Sequence, residues 1–230
     1  MSAVKGIVFD KDGTLFDFNA TWVAWAESFL LKLAGNDRAR ARQIGSEIGF
    51  DLDQRRFDPH SVVIAGTPEE VEKALRPHFE GNGADVLDLL NAEASQAPQI
   101  EAVPLDPLLT ELTLRGLRLG VATNDAIDPA IAHLGEAGVI RHFAFIAGYD
   151  SGYGAKPGPG QLHAFCEQTG LGPQEVVMVG DSLHDLHAGQ AAGMRTVGVL
   201  TGLAEASVLS AYAEVVLPDV GQIPAWLDRL

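Results

Sequence analysis

Near its start the chain reads Gly6-Ile7-Val8-Phe9-Asp10-Lys11-Asp12-Gly13-Thr14-Leu15, an apolar run that breaks off into acids and a glycine. A short apolar run ending in turn formers is the mark of a buried strand. Continuing that strand would send residues 10 and 12 to the same face, and Gly13 permits a sharp turn that brings the backbone close to a ligand. Two carboxylates at the carboxyl end of a buried strand invite a division of labour, one ionised and nucleophilic, the other able to hold a proton.

Working outward, further strands are expected at 117–123, 143–147, 175–181, 196–200 and 214–217, with the first at 5–10. Helical patterns at 104–115, 128–137, 159–169 and 185–192 lie between them, several closed by a glycine: Gly116, Gly138, Gly170 and Gly193. This alternation predicts an α/β fold, a doubly wound, Rossmann-like parallel sheet covered by helices. The interval 18–99 breaks the rhythm and reads as an all-helical cap inserted after the first strand, which leaves 1–17 and 100–230 as the α/β core. Its stripes run over 21–33, with Trp22, Trp25, Phe29 and Leu30 on one face, and over 68–79 and 84–94. The less periodic stretch 49–66, which carries Arg55 and Arg56, is expected to be a loop.

The 230 residues are 47% hydrophobic and 20% charged, enough apolar material for a substantial core, and the net charge is -15. Such a surface speaks against nucleic acid or an anionic membrane as partner, and it repels phosphorylated metabolites unless the site supplies its own positive charge. The single cysteine, Cys166, falls on a helix face with Leu162 and Phe165 and is expected to be buried. The first ten residues lack the pattern of a secretory leader and no membrane-length apolar run occurs, so a cytoplasmic protein is expected.

Three more strand ends carry polar groups toward the edge where open α/β sheets bind ligands. One is Val121-Ala122-Thr123-Asn124-Asp125, where a terminal threonine could equally be a turn residue. Another is Gly154-Ala155-Lys156-Pro157-Gly158-Pro159, which fixes one of only five lysines in a stiff turn. The last is Gly180-Asp181-Ser182-Leu183-His184-Asp185, where either acid could also be a helix N-cap. Capping does not account for Asp10, Asp12, Asp181 and Asp185 converging on one edge, which demands a cation among them. An all-oxygen donor set suits Mg²⁺ better than zinc.

In this order, Asp10-x-Asp12-Gly13-Thr14-Leu15, then Thr123, then Lys156-Pro157, then Gly180-Asp181-x-x-x-Asp185, the motifs resemble those of the haloacid dehalogenase superfamily over nearly the whole chain. The inserted segment and the run Ala188 to Val197 resemble the capped branch with phosphoglycolate phosphatases and β-phosphoglucomutases. The resemblance implies that Asp10 attacks phosphorus and that Asp12 serves as general acid and base. It implies that Mg²⁺ is held by Asp10, the Asp12 carbonyl and Asp181, with Asp185 beside them. Thr123, the Asn124 amide and Lys156 would hold the phosphoryl oxygens. An acid at position 12 favours phosphate esters over the family's dehalogenases and phosphonatases. The expected substrate is a small phosphomonoester metabolite, 2-phosphoglycolate first, with Arg55 and Arg56 as candidate partners of its carboxylate or, equally, members of surface ion pairs. A phosphosugar mutase and a catalytically silent binding protein are the alternatives.

Overall fold

The computed structural model describes residues 3–58, 60–79 and 83–230. Strand β1 (Gly6–Phe9) is followed by helices α1 (Phe18–Leu33) and α2 (Arg38–Glu47), the two-residue strands β2 (Phe50–Asp51) and β3 (Arg56–Phe57), and helices α3 (Pro68–Leu75) and α4 (Gly83–Ala94). The chain then alternates: α5 (Leu105–Leu114), β4 (Arg118–Ala122), α6 (Ile127–Glu136), β5 (Phe143–Ala147), α7 (Gly160–Thr169), β6 (Val176–Gly180) and α8 (Leu183–Ala191). It ends with β7 (Arg195–Val199), α9 (Ala206–Leu209), β8 (Val215–Leu217) and α10 (Ile223–Leu227).

Six strands form one parallel sheet in the order β5-β4-β1-β6-β7-β8. The expected Rossmann-like core is therefore present, and each of the six anticipated strands is found. Connections leave β1 on one side toward β4 and β5 and return on its other side through β6, so β1 sits at the topological switch point where a crevice opens at the carboxyl ends. The register pairs Phe9 with both Val121 and Val179. Asp10, Thr123 and Asp181 consequently emerge together at that edge.

Alternation along β1 builds the two faces of the core. Ile7 and Phe9 join Leu109, Leu112 and Leu134 on one side; Val8 joins Met178, Phe165 and Ala188 on the other. Strands buried on both faces must be apolar throughout, which is why these runs stand out in the sequence. Gly120 has no Cβ because one there would lie 2.6 Å from the Phe165 ring.

A third apolar cluster is drawn from residues 18–97 and contains Trp22, Trp25, Phe29, Ile44, Phe50 and Leu90. Its first helix, α1, is started by Asp17, whose carboxylate accepts the Ala20 N–H at 2.7 Å. Trp25 and Phe29 stack at 5.2 Å along its buried stripe. At α3, Thr67 and Glu70 form a capping box with Pro68 in the first turn.

Two features differ from expectation. Within 49–66 the chain makes a small antiparallel hairpin, with Phe50 opposite Phe57 and Asp51 opposite Arg56; two residues per strand are too few to show a period. Helix α2 also escapes pattern reading, because Arg-Ala-Arg-Ala-Arg-Gln-Ile-Gly-Ser-Glu buries only Ala41, Ile44 and Gly45. Cys166 is buried as expected. Among the described residues no helix is long and apolar enough to cross a membrane.

Phe165 is fully buried against Gly6 and Gly120 at the centre of the sheet, so Phe165→Ala is expected to cost about 3–5 kcal/mol of stability. Urea unfolding measures it; a loss under about 1 kcal/mol would contradict this packing.

Candidate active site

Asp10 leaves β1 directly into the crevice, and its Oδ1 accepts from Lys156 Nζ at 2.5 Å. The same ammonium donates to Asp185 Oδ1 at 2.6 Å. Asp185 stands in the first turn of α8, where its Oδ2 accepts from the N–H and Oγ of Ser182 at 3.0 and 2.7 Å. The N-cap of that helix is thus Ser182, and neither Asp181 nor Asp185 fills that place. Asp181 accepts from Thr14 Oγ1 at 3.1 Å. Gly13, at φ 79, and Gly202 press on it so closely that a Cβ at either would overlap its carboxylate.

Oxygens of Asp10, Asp181 and Asp185 lie within 4.8 Å of one another, and all three residues are buried. At such spacing and an effective dielectric near 20, each pair of charges repels by roughly 3 kcal/mol. One lysine cannot offset three acids. Burial pushes the Asp10 carboxyl up to about 7, with Lys156 drawing it down and Asp185 opposing that. Burial, then the charges of Asp10 and Asp185, hold Asp181 well above the usual carboxylate range. The Lys156 ammonium resists burial because Asp10 and Asp185 keep it charged. A divalent cation with oxygen preference fits this donor set, and it would restore ionised carboxylates there.

Lys11 is fully buried beside this cluster. Its Nζ donates to Asp12 Oδ1 at 2.9 Å, lies 2.7 Å from Asp12 Oδ2, and donates to His133 Nδ1 at 2.9 Å. Asp125 Oδ2 is 3.2 Å away, an ion-pair contact off the hydrogen-bonding direction. His133 Nε2 donates to the Ala94 carbonyl at the end of α4 at 2.7 Å, so Nδ1 is the acceptor toward lysine. Burial, reinforced by the Lys11 charge, lowers His133 to about 4 and keeps it neutral. Burial raises Asp125 to about 6 against the pull of Lys11. Trp22 of α1 lies over the ammonium, 5.8 Å from ring centroid to Nζ.

Thr123 Oγ1 accepts the Asp125 N–H at 3.1 Å, a turn bond, and Gln161 Nε2 holds the Thr123 carbonyl at 3.0 Å. The Asn124 side chain joins three segments: Nδ2 donates to the Ala65 carbonyl at 2.8 Å and to the Lys156 carbonyl at 2.9 Å, while Oδ1 accepts the Lys156 N–H at 2.8 Å. Asp10, Asp12, Thr123, Asn124, Lys156, Asp181 and Asp185 all line one cleft. Arg55 and Arg56 do not. Arg55, at φ 52 in the hairpin turn, pairs with Glu27 at 2.8 Å, and both arginines are exposed.

Residues 4–193 match the family model of the haloacid dehalogenase-like hydrolases. The chain belongs to this family. It is 30% identical over 230 residues to a phosphoglycolate phosphatase of Neisseria meningitidis serogroup A / serotype 4A, covering 99% of this chain and 94% of that one. Among solved structures it resembles a protein described as a predicted phosphoglycolate phosphatase from Haemophilus somnus 129pt, with TM-score 0.74 and 20% identity over 98% of this chain and 99% of that one. It also resembles the β-phosphoglucomutase of Clostridium difficile, with TM-score 0.68 and 18% identity over 98% of each. At such identities the structural likenesses speak for the fold alone.

In this hydrolase the network of Lys11, Asp125 and His133 has no counterpart in the sequence reading. A charged residue closing the apolar run 6–9, and a histidine on the buried stripe of α6, were the available signals. Nothing local pairs residue 11 with residue 133.

Two outcomes follow from the electrostatics. Below its folded pKa of about 7 Asp10 carries a proton that a cation must displace, so the rise in Tm at a fixed Mg²⁺ concentration is expected to grow from pH 5 to pH 8. Equal shifts at the two pH values would contradict a cation bound at Asp10. Lys11→Met strands Asp12 and Asp125 without their counter-charge and is expected to cost about 3–5 kcal/mol in urea unfolding; an unchanged midpoint would refute the network.

Proposed function

We propose that this hydrolase is a Mg²⁺-dependent phosphatase of small phosphomonoesters, working through an aspartyl phosphate on Asp10. The observation that carries the proposal is Lys156 Nζ at 2.5 Å from Asp10 and 2.6 Å from Asp185 in a crevice shared with Asp181. A carboxylate beside a fixed ammonium and a cation site is built for a doubly charged electrophile.

Asp10, the backbone carbonyl of Asp12 and Asp181 would hold Mg²⁺, which when bound withdraws charge from the phosphoryl oxygens. An Asp10 oxygen attacks phosphorus and the bond from phosphorus to the ester oxygen breaks, with Asp12 supplying a proton to that leaving oxygen. Water then attacks phosphorus, Asp12 takes its proton, and the acyl phosphate bond breaks to release phosphate. Thr123, the Asn124 N–H and Lys156 hold the phosphoryl oxygens through both steps. Asp185, with one oxygen on Lys156 and the other on Ser182, orients the ammonium.

Residues 18–99 act as a cap over the core formed by 1–17 and 100–230. The Asn124 to Ala65 bond ties the cap down beside Lys156, which excludes macromolecules and favours a small phosphorylated metabolite. Relatives named phosphoglycolate phosphatases make 2-phosphoglycolate the reference ester for assay. With Mg²⁺, the protein is expected to release inorganic phosphate, and Asp10→Asn to lose about a thousandfold or more in kcat. An Asn variant as fast as the parent would end the proposal, and isomerised sugar phosphate in place of free phosphate would turn it into a mutase.

A further inference from the structure

The cap side of the cleft carries information that the reacting groups do not use. Its wall is formed by Phe18, Trp22, Trp25, Val71, Leu90 and Ala94, a mainly aromatic and aliphatic surface. Among the described residues Lys156 is the only lysine or arginine lining the cleft, and it is already divided between Asp10 and Asp185. Five aspartates, Asp10, Asp12, Asp125, Asp181 and Asp185, face the same space. His184, the other side chain there that a proton would make positive, belongs to the core helix α8 and not to the cap. The cation and Lys156 are committed to the phosphoryl group. A second anionic group on the substrate would be buried against apolar rings and acids with no positive charge left to offset it.

The same wall is not inert toward hydrogen bonding. Trp22 Nε1, a donor, and Asn91 Oδ1, an acceptor, are buried with no hydrogen-bond partner in the protein, and both residues line the cleft. The neighbouring Trp25 indole differs, since its Nε1 donates to the Leu90 carbonyl at 3.2 Å. Buried polar atoms are nearly always paired, so an orphaned donor and acceptor in one cleft wall mark where a bound molecule supplies the missing partners.

We infer that the alcohol released by this enzyme is uncharged and largely apolar and carries one neutral hydrogen-bonding group, a hydroxyl or amide, that meets Trp22 Nε1 and Asn91 Oδ1. This rests on the phosphatase reading and narrows it: 2-phosphoglycolate, whose leaving alcohol bears a carboxylate, is a poor substrate. Trp22 and Asn91 are specificity-determining residues.

The test uses the full chain with Mg²⁺ and four esters: p-nitrophenyl phosphate, benzyl phosphate, 4-(hydroxymethyl)benzyl phosphate and 2-phosphoglycolate. Benzyl phosphate is expected to exceed 2-phosphoglycolate in kcat/KM by about a hundredfold or more, the penalty for an unpaired buried carboxylate. The hydroxymethyl ester should exceed benzyl phosphate by roughly tenfold, and Trp22→Phe should bring that ratio down to about two. Efficient turnover of 2-phosphoglycolate, equal to or above that of benzyl phosphate, overturns the inference while leaving the phosphatase intact. A hydroxymethyl ester no better than benzyl phosphate, or a ratio unmoved in Trp22→Phe, overturns the roles of Trp22 and Asn91. Failure to hydrolyse any ester, p-nitrophenyl phosphate included, overturns the phosphatase reading and the inference with it.

Discussion

Three buried carboxylates share one ammonium at the carboxyl edge of a parallel sheet, and the rest of the molecule is arranged around that imbalance. Asp10 and Asp181 are brought together by strands whose register pairs Phe9 with Val179, and the first turn of α8 adds Asp185, so that their oxygens lie within 4.8 Å of one another. Sheet burial supplies the rigidity to hold like charges in contact, and it is also what raises the pKa values of Asp10 and Asp181. The cluster is a costly structure on its own terms. It becomes reasonable as a site that takes up a divalent cation and a phosphate together.

The helical segment between β1 and α5 meets the sheet and its helices through groups that also line the cleft. Asn124 ties the Ala65 carbonyl to the loop that carries Lys156, and His133 ties the end of α4 to Lys11, hence to Asp12. Trp22 lies over the same ammonium and also lines the cleft. Lys11 donates to Asp12 and His133 and pairs by charge with Asp125, so the second carboxylate of the first motif is held by a buried cation and not left to solvent.

Much of the fold was legible because a parallel sheet buried on both faces writes itself as apolar runs, and the six strands follow those runs to within a residue or two. The convergence of Asp10, Thr123, Lys156 and Asp181 on one edge was legible for a related reason: polar groups at the ends of such runs have one place to go. Helix α2 was hidden because three arginines and few buried residues blur its stripe, and the hairpin 50–57 because two-residue strands have no period. The Lys11 network was hidden because the proximity of residues 11, 125 and 133 is a product of topology. Arg55 and Arg56 illustrate the converse: two adjacent cations in a polar segment look like an anion site in sequence, yet Arg55 is spent on Glu27.

Composition pointed to the requirement more than to the solution. A chain of net charge -15 that handles phosphate needs local positive charge, and the fold provides it sparingly, with Lys156 and a place for a cation. The most direct measurement is mass spectrometry of protein quenched in acid during turnover of a phosphomonoester. The account predicts one added phosphoryl group on the peptide containing Asp10, formed only when Mg²⁺ is supplied. Phosphate release with no label on that peptide, or label gained equally without the metal, would contradict it.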